Sequence, residues 1–430
     1  MRREGHVSRA STLAAVTMAA MLTTSPVRAQ DSALVELLVA NRHSVWLSGD
    51  TLAGDGGRLL LDEAAGARYA LLGEEHGIAE IPPFASAWFR GIVPAGYSRL
   101  AVEVGPDAGV LLDSLASSGV AALREFQDAH APGFPFFVLE SEAKLLVNAR
   151  TALPDEPAVI WGIDYDILAD RYLFPLLEMA AESDSARAVI RSVQAQADSG
   201  IAEAVRTGNP GLIYLFSAPD EPFVRLRRAL EPDSGSSAMR VIETMQETAA
   251  INRLFMSGEN WESNRRRVAW LKRSMSGHLE AGRKAYGEQP KVMVKLGYNH
   301  LARGLNDSRQ YDVGAMLAQL AEADGERSFH LLVIGGPGAR TAAFNPMEMR
   351  YVEQPASALG DAAAGAPLAE LALENGWTLF DLRPLRPAIH DRRVNASDAL
   401  VRLAFNFDAV LLISGGTPAQ ALFDIPAAFR

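Results

Sequence analysis

The sequence predicts an α/β fold, with a largely parallel central sheet, helices on both faces and a helical insertion. Three observations carry this. Short, near-continuous apolar runs rich in β-branched residues read as strands buried on both faces. Segments with helical spacing, such as 82–90, 108–115 and 312–323, alternate with those runs, as crossover helices between parallel strands do. One long interval, 169–285, holds charged helical stretches and no convincing strand. With 430 residues, 48% of them hydrophobic, the chain can bury a sizeable core.

Residues 1–29 look like a secretory signal peptide. Arg2, Arg3 and Arg9 open it, an apolar segment spans 13–22, and Val27-Arg28-Ala29 precedes a cut ahead of Gln30. The apolar segment is short for a membrane span, and the competing reading is an uncleaved anchor. Cleavage would leave one domain at 30–430, periplasmic or secreted. It would remove four arginines and one glutamate, taking the formal charge from −11 to −14. An acidic protein is a poor partner for nucleic acid or an anionic membrane, so the expected partner is a small-molecule substrate. No later run is long and apolar enough to span a bilayer. The absence of cysteine excludes disulfides, thiolate metal sites and cysteine nucleophiles.

The first expected strand, 69–73, stops at Glu74-Glu75-His76-Gly77, with Glu80 close behind. Acids beside an imidazole cost desolvation energy unless solvated, paired or bound to a ligand. The second, 100–104, carries Glu103. The third, 158–163, runs into Asp164 and Asp166. In the interval that follows, helices are expected at 185–206, 239–255 and 261–282, with loop signals at 208–211 and 232–235. They either cap the site or cover the sheet. The fourth strand, 291–296, leads to Tyr298, Asn299 and His300. Strands at 330–334, 378–382 and 409–413 complete the set. Gly335-Gly336-Pro337-Gly338 reads as a plain turn, and 355–367 as a surface loop. Ligands of open parallel sheets bind beyond the carboxyl ends of the strands, so these acids and histidines converge if the four strands are neighbours.

Each residue also has a bland reading. Glu103 can be a structural acid paired with an arginine. Asp164 can cap a helix. His76 and His300 can be satisfied by loop groups. Glu80, four residues after His76 on a helix beginning near Gly77, is positioned to orient that imidazole or to accept from a substrate group. Arg265-Arg266-Arg267 reads as a solvated face from which one arginine can reach the cleft. His43, His130, His278, His330 and His390 have no comparable context. The sequence contains no Gly-x-Ser-x-Gly elbow, Walker loop or His-Glu-x-x-His.

The combination resembles the erythromycin esterase-like proteins, with ChaN-like haem-binding and Tiki-like proteins as relatives. The matching elements are Gly73-Glu74, His76-Gly77 and Glu80, then Glu103, Gly162-Ile163-Asp164, 296–300, 407–412 and Thr417-Pro418-Ala419. The spacer between Glu74 and His76 is one residue shorter than in the esterases and looks like the ChaN-like version. Gly297 stands where the esterases carry the first histidine of His-Asn-x-His. The resemblance implies hydrolysis of an ester or related acyl bond by an activated water. His76 would be the general base, oriented by Glu74 or Glu80. Glu103 and His300 would position water or polarise the carbonyl, and Asp164, Tyr298 and Asn299 would face the substrate. A metal-assisted version would hold a divalent ion with Glu74, His76, Glu103 and His300. The ChaN-like side implies instead a haem or iron-ligand binder, with Tyr298 or His300 as ligand. Gly297 suggests a third alternative, a catalytically inactive interaction protein.

Overall fold

The computed structural model describes residues 32–422 apart from 131–136, 167, 169, 232–235, 346–349, 357–366 and 375. The signal-like segment 1–29, the loop signal at 232–235 and most of the expected surface loop 355–367 lie outside the described residues. Nine strands form one sheet and two form a separate hairpin. In chain order they are β1 (Arg42–Ser48), β2 (Thr51–Ala53), β3 (Tyr69–Glu74), β4 (Tyr97–Val102), β5 (Ile160–Gly162), β6 (Lys291–Gly297), β7 (Ser328–Gly335), β8 (Arg340–Asn345), β9 (Arg350–Pro355), β10 (Trp377–Asp381) and β11 (Ala409–Ile413).

The sheet order is β2-β1-β10-β11-β7-β3-β6-β4-β5, and β8 pairs with β9. From β11 to β5 the neighbours run parallel. The chain is therefore α/β with a largely parallel sheet. Every residue of β3 and β7 is buried, which is why these strands read as unbroken apolar runs. The expected strand at 378–382 belongs to the antiparallel edge, pairing β1 and β11. Strands β1, β2, β8 and β9 were not expected from the sequence. β1 is mostly part-exposed, and its apolar run is only the three residues Val45-Trp46-Leu47. β4 ends at Val102, so Glu103 follows the strand instead of lying within it.

Helices cover both faces. On one, Phe84, Trp88, Leu112 and Leu146 pack with Leu72, Leu100 and Val102. On the other, Leu271, Met275, Leu279 and Leu317 pack with Leu71, Val292 and Val294. Each such side chain contributes about 1.5–3 kcal/mol when fully buried. Between β5 and β6 the chain is helical, including Asp170–Ala180, Asp184–Thr207, Glu221–Leu230, Ser236–Met256 and Asn260–Tyr286. The last of these covers the sheet with Leu271, Met275 and Leu279, and sends Arg267 to the strand ends. Covering the sheet and walling the site are thus done by the same segment. Among the described residues no helix is long and apolar enough to cross a membrane.

Candidate active site

Strands β3, β6, β4 and β5 are consecutive neighbours, so their carboxyl ends form one edge. In register, Leu72 lies beside Lys295 and Glu74 beside Gly297, while Val102 lies beside Lys295 on the other side. The residues that follow these positions face a cavity of about 730 Å³. Its lining includes Glu74, His76, Glu103, Asp164, Tyr298, Asn299 and His300, together with Phe216, Phe255 and Phe344.

Glu74 and Glu103 hold His76 between them. The His76 Nδ1 lies 3.0 Å from Glu74 Oε1, and its Nε2 lies 3.5 Å from Glu103 Oε2. Glu74 in turn accepts a hydrogen bond from Lys295 Nζ at 2.5 Å, and the same ammonium donates to Glu142 at 2.8 and 3.0 Å. Glu103 accepts from the Gly297 N–H at 2.6 Å and from Arg267 Nη2 at 2.7 Å. Arg267 also binds Asp164, with Nε 3.0 Å from Oδ1, and lies 5.0 Å over the Tyr165 ring. His300 faces the other Glu103 oxygen at 3.7 Å, and its Nδ1 bonds Asp312 at 2.9 Å. Carboxylates and cations therefore alternate across the strand ends.

Burial sets the charges. It pushes Glu103 upward, but His76, His300, Arg267 and the Gly297 N–H outweigh it and bring the carboxyl down to about 2. Burial likewise opposes ionisation of Glu74, and Lys295 and His76 overcome it. Burial favours a neutral His76, yet Glu103 and Glu74 raise its pKa above the ordinary histidine value. His300 is raised too: burial and Arg267 pull it down, and Asp312 and Glu103 prevail. One ammonium serves two buried carboxyls at Lys295. Burial, aided by the charge on Glu74, pushes Glu142 up to about 7 against the pull of Lys295. With Glu74 ionised, the His76 Nδ1 carries a proton and Nε2 is left toward the cavity. His76 is the exposed member of this set, its side chain 31% accessible against 2% for Glu74 and 7% for Glu103.

Gly297 has a steric reason. A Cβ there would lie 2.7 Å from His76 Nε2 and 3.4 Å from Glu103 Oε2. The position that carries histidine in the esterase pattern is here the space occupied by the His76 ring.

Three sequence readings need correction. Glu80 does not orient His76: its carboxylate accepts from the Thr417 N–H at 2.9 Å and the Thr417 hydroxyl at 2.7 Å. The helix begins only at Ile81, so 76–80 is not a helical turn and the four-residue spacing has no meaning there. The proposed metal ligands do not fit a divalent ion. Among the described residues no group of three or more histidine and acidic side chains is placed to hold one. Lys295 and Arg267 already neutralise Glu74 and Glu103 where a metal would have to sit. Haem ligation through His300 fits no better, because one ring nitrogen is bonded to Asp312 and the other faces Glu103. Asn299 lines the cavity, but its amide shapes the following loop, donating to Ser308 Oγ at 2.8 Å and accepting from the Asp307 N–H at 3.0 Å.

Sequence reasoning missed Lys295, Glu142 and Asp312, and left Arg267 undistinguished from its neighbours. A lysine inside the apolar run of β6 was the available signal. Arg265 and Arg266 pair outward with Glu262 and Glu247, leaving Arg267 alone on the cleft side of its helix. Of the histidines set aside, His330 is buried between the Leu301 carbonyl and Ser328, and His278 stacks on Trp161 at 4.8 Å.

No protein-family model and no curated protein sequence matches the chain. Solved structures do. A succinoglycan biosynthesis protein superposes with a TM-score of 0.59 at 14% identity, covering 91% of this chain and 98% of its own. A Bacillus cereus protein gives a TM-score of 0.55 at 12% identity, with the same coverages, 91% and 98%. A mutant of erythromycin esterase EreC in its open conformation gives 0.53 at 17% identity, covering 90% and 99%. What is common at these identities is the fold, and along nearly its whole length this chain has the fold of erythromycin esterase.

Proposed function

We propose that the protein is a hydrolase that cleaves an ester or related acyl bond with a water activated by His76. One observation carries this reading: Glu74 binds Nδ1 of His76, leaving Nε2 to face a cavity opposite Glu103. A general base needs this arrangement, with one nitrogen fixed by a carboxylate and the other within reach of the proton it removes. His76 takes a proton from water, and the hydroxide adds to the acyl carbon. His300, whose protonated form Asp312 and Glu103 favour, adds positive charge beside the carbonyl oxygen. The tetrahedral species breaks its bond to the leaving oxygen, which receives the proton from His76. Water and ester become acid and alcohol, and His76 returns to its neutral form. Erythromycin esterase shares the fold, which supports a hydrolase without naming the substrate.

The base must be neutral to act, and its pKa is raised. kcat/KM should therefore rise with pH through a midpoint above 6.5, measured on whichever 4-nitrophenyl ester or lactone of a panel is turned over. A rate constant flat between pH 5.5 and 8.5 would remove an imidazole base from the mechanism. We also infer export with cleavage of residues 1–29. Mass spectrometry of the protein from its native host should find Gln30 at the N-terminus, and an intact Met1 would sink that inference.

A further inference from the structure

The loop that carries His76 is held by parts of the chain that no catalytic reading uses. The Thr341 hydroxyl, on β8, donates to the His76 carbonyl. The next residue, Ala342, donates its N–H to the Gly77 carbonyl at 2.9 Å, and the same carbonyl accepts from the Ala419 N–H at 2.9 Å. Ala79 donates to the Thr417 carbonyl at 2.8 Å, and Arg340 to that of Gly416 at 2.8 Å. The approach is so close that only glycine fits at 77: its φ is +80°, and a Cβ would lie 2.0 Å from the Ala342 oxygen. His76 is therefore fixed at two points, its ring by Glu74 and its backbone by Thr341.

The same hairpin faces the substrate space. Thr341, Ala343, Phe344 and Gln354 line the cavity, and Phe344 packs on Tyr351 with ring centres 5.3 Å apart. We propose that the β8–β9 hairpin couples substrate contact to the placement of the base, with Thr341 as the positioning residue for His76 and Phe344 as a specificity residue. This rests on the hydrolase reading of the same cavity. A side chain that holds the carbonyl of a base sets where its imidazole lies, and misplacement by about 1 Å can cost on the order of a hundredfold in rate.

The test uses the full-length protein and two readouts. The His76 ring resonance, assigned by its loss in His76→Ala, is titrated by NMR in wild type and in Thr341→Val. Hydrolysis of 4-nitrophenyl butyrate is followed in parallel. In Thr341→Val the imidazole loses its fixed place between Glu74 and Glu103, so its pKa falls toward 6.5. The acid limb of the rate profile moves the same way. kcat drops about tenfold or more while KM stays within about twofold. Thr341→Ser, which keeps the hydroxyl, restores both. Phe344→Ala raises KM and keeps kcat. A His76 titration unchanged in Thr341→Val, or a Thr341→Ser variant as impaired as Thr341→Val, overturns the positioning role. An unchanged KM in Phe344→Ala overturns the specificity role. If wild type turns over no ester but the titration still moves, the hydrolase reading fails and the positioning role stands.

Discussion

His76→Ala lowers kcat/KM for ester hydrolysis by about 10²–10⁴-fold, the range lost when a positioned general base is removed. The expectation is specific because nothing nearby can replace it. Glu74, on the cavity wall, is held by Lys295 and His76. Glu103, brought down to about 2 and already accepting from Arg267 and Gly297, is a feeble base near neutrality. His300 is buried and tied to Asp312, with its other ring nitrogen facing Glu103. The fold should survive, since the His76 side chain lies at the cavity surface and contributes little buried apolar area. The measurement is a rate comparison at pH 8 with melting curves as the control. A variant that keeps more than a tenth of wild-type activity would take His76 out of the mechanism.

Lys295→Met destabilises the protein by about 3–5 kcal/mol at pH 8, the cost of leaving a buried charge without its partner. Lys295 is 4% exposed, Glu74 and Glu142 each 2%, so water cannot replace the ammonium. The effect depends on pH. Without Lys295, burial is opposed only weakly at Glu142 and only by His76 at Glu74, so both carboxyls move upward. Groups raised in this way are least costly at low pH, where both states are protonated, and lose stability as pH rises through the folded values. The loss should therefore be small near pH 5 and full near pH 8. Urea unfolding at those two values is the check. Equal stability of variant and wild type at pH 8 would mean that Lys295 is not the counter-ion of the pair.

What could be read from the sequence follows from which interactions are local. Strands β3, β4, β6 and β7 announce themselves because both of their faces are buried, and the ends of β3, β5 and β6 are marked where polarity returns at Glu74, Asp164 and Asn299. Glu103 was legible for the same reason, although it lies just past β4. Strand β1 is mostly part-exposed and β8 runs from exposed Arg340 through buried Thr341 and Ala342, and neither carries a long apolar run, so periodicity is silent there. Lys295 was visible as an oddity but its meaning was not, since Glu142 lies 153 positions away in the chain. Arg267 differs from Arg265 and Arg266 only in which way a helix turns it. Glu80 failed because a spacing of four implies contact only on a helix, and Thr417, 337 residues away, claims its carboxylate.

Gly297 ties together two departures from the esterase pattern that looked separate. The ring of His76 lies over position 297, and the glycine there leaves the room that ring needs. One volume above the ends of β3 and β6 holds the His76 ring, and a Cβ on residue 297 would fall within 2.7 Å of its Nε2. Grafting the esterase histidine onto this chain would therefore require lengthening the Glu74–His76 link at the same time. An engineer who replaced Gly297 alone would set the new side chain against the His76 ring.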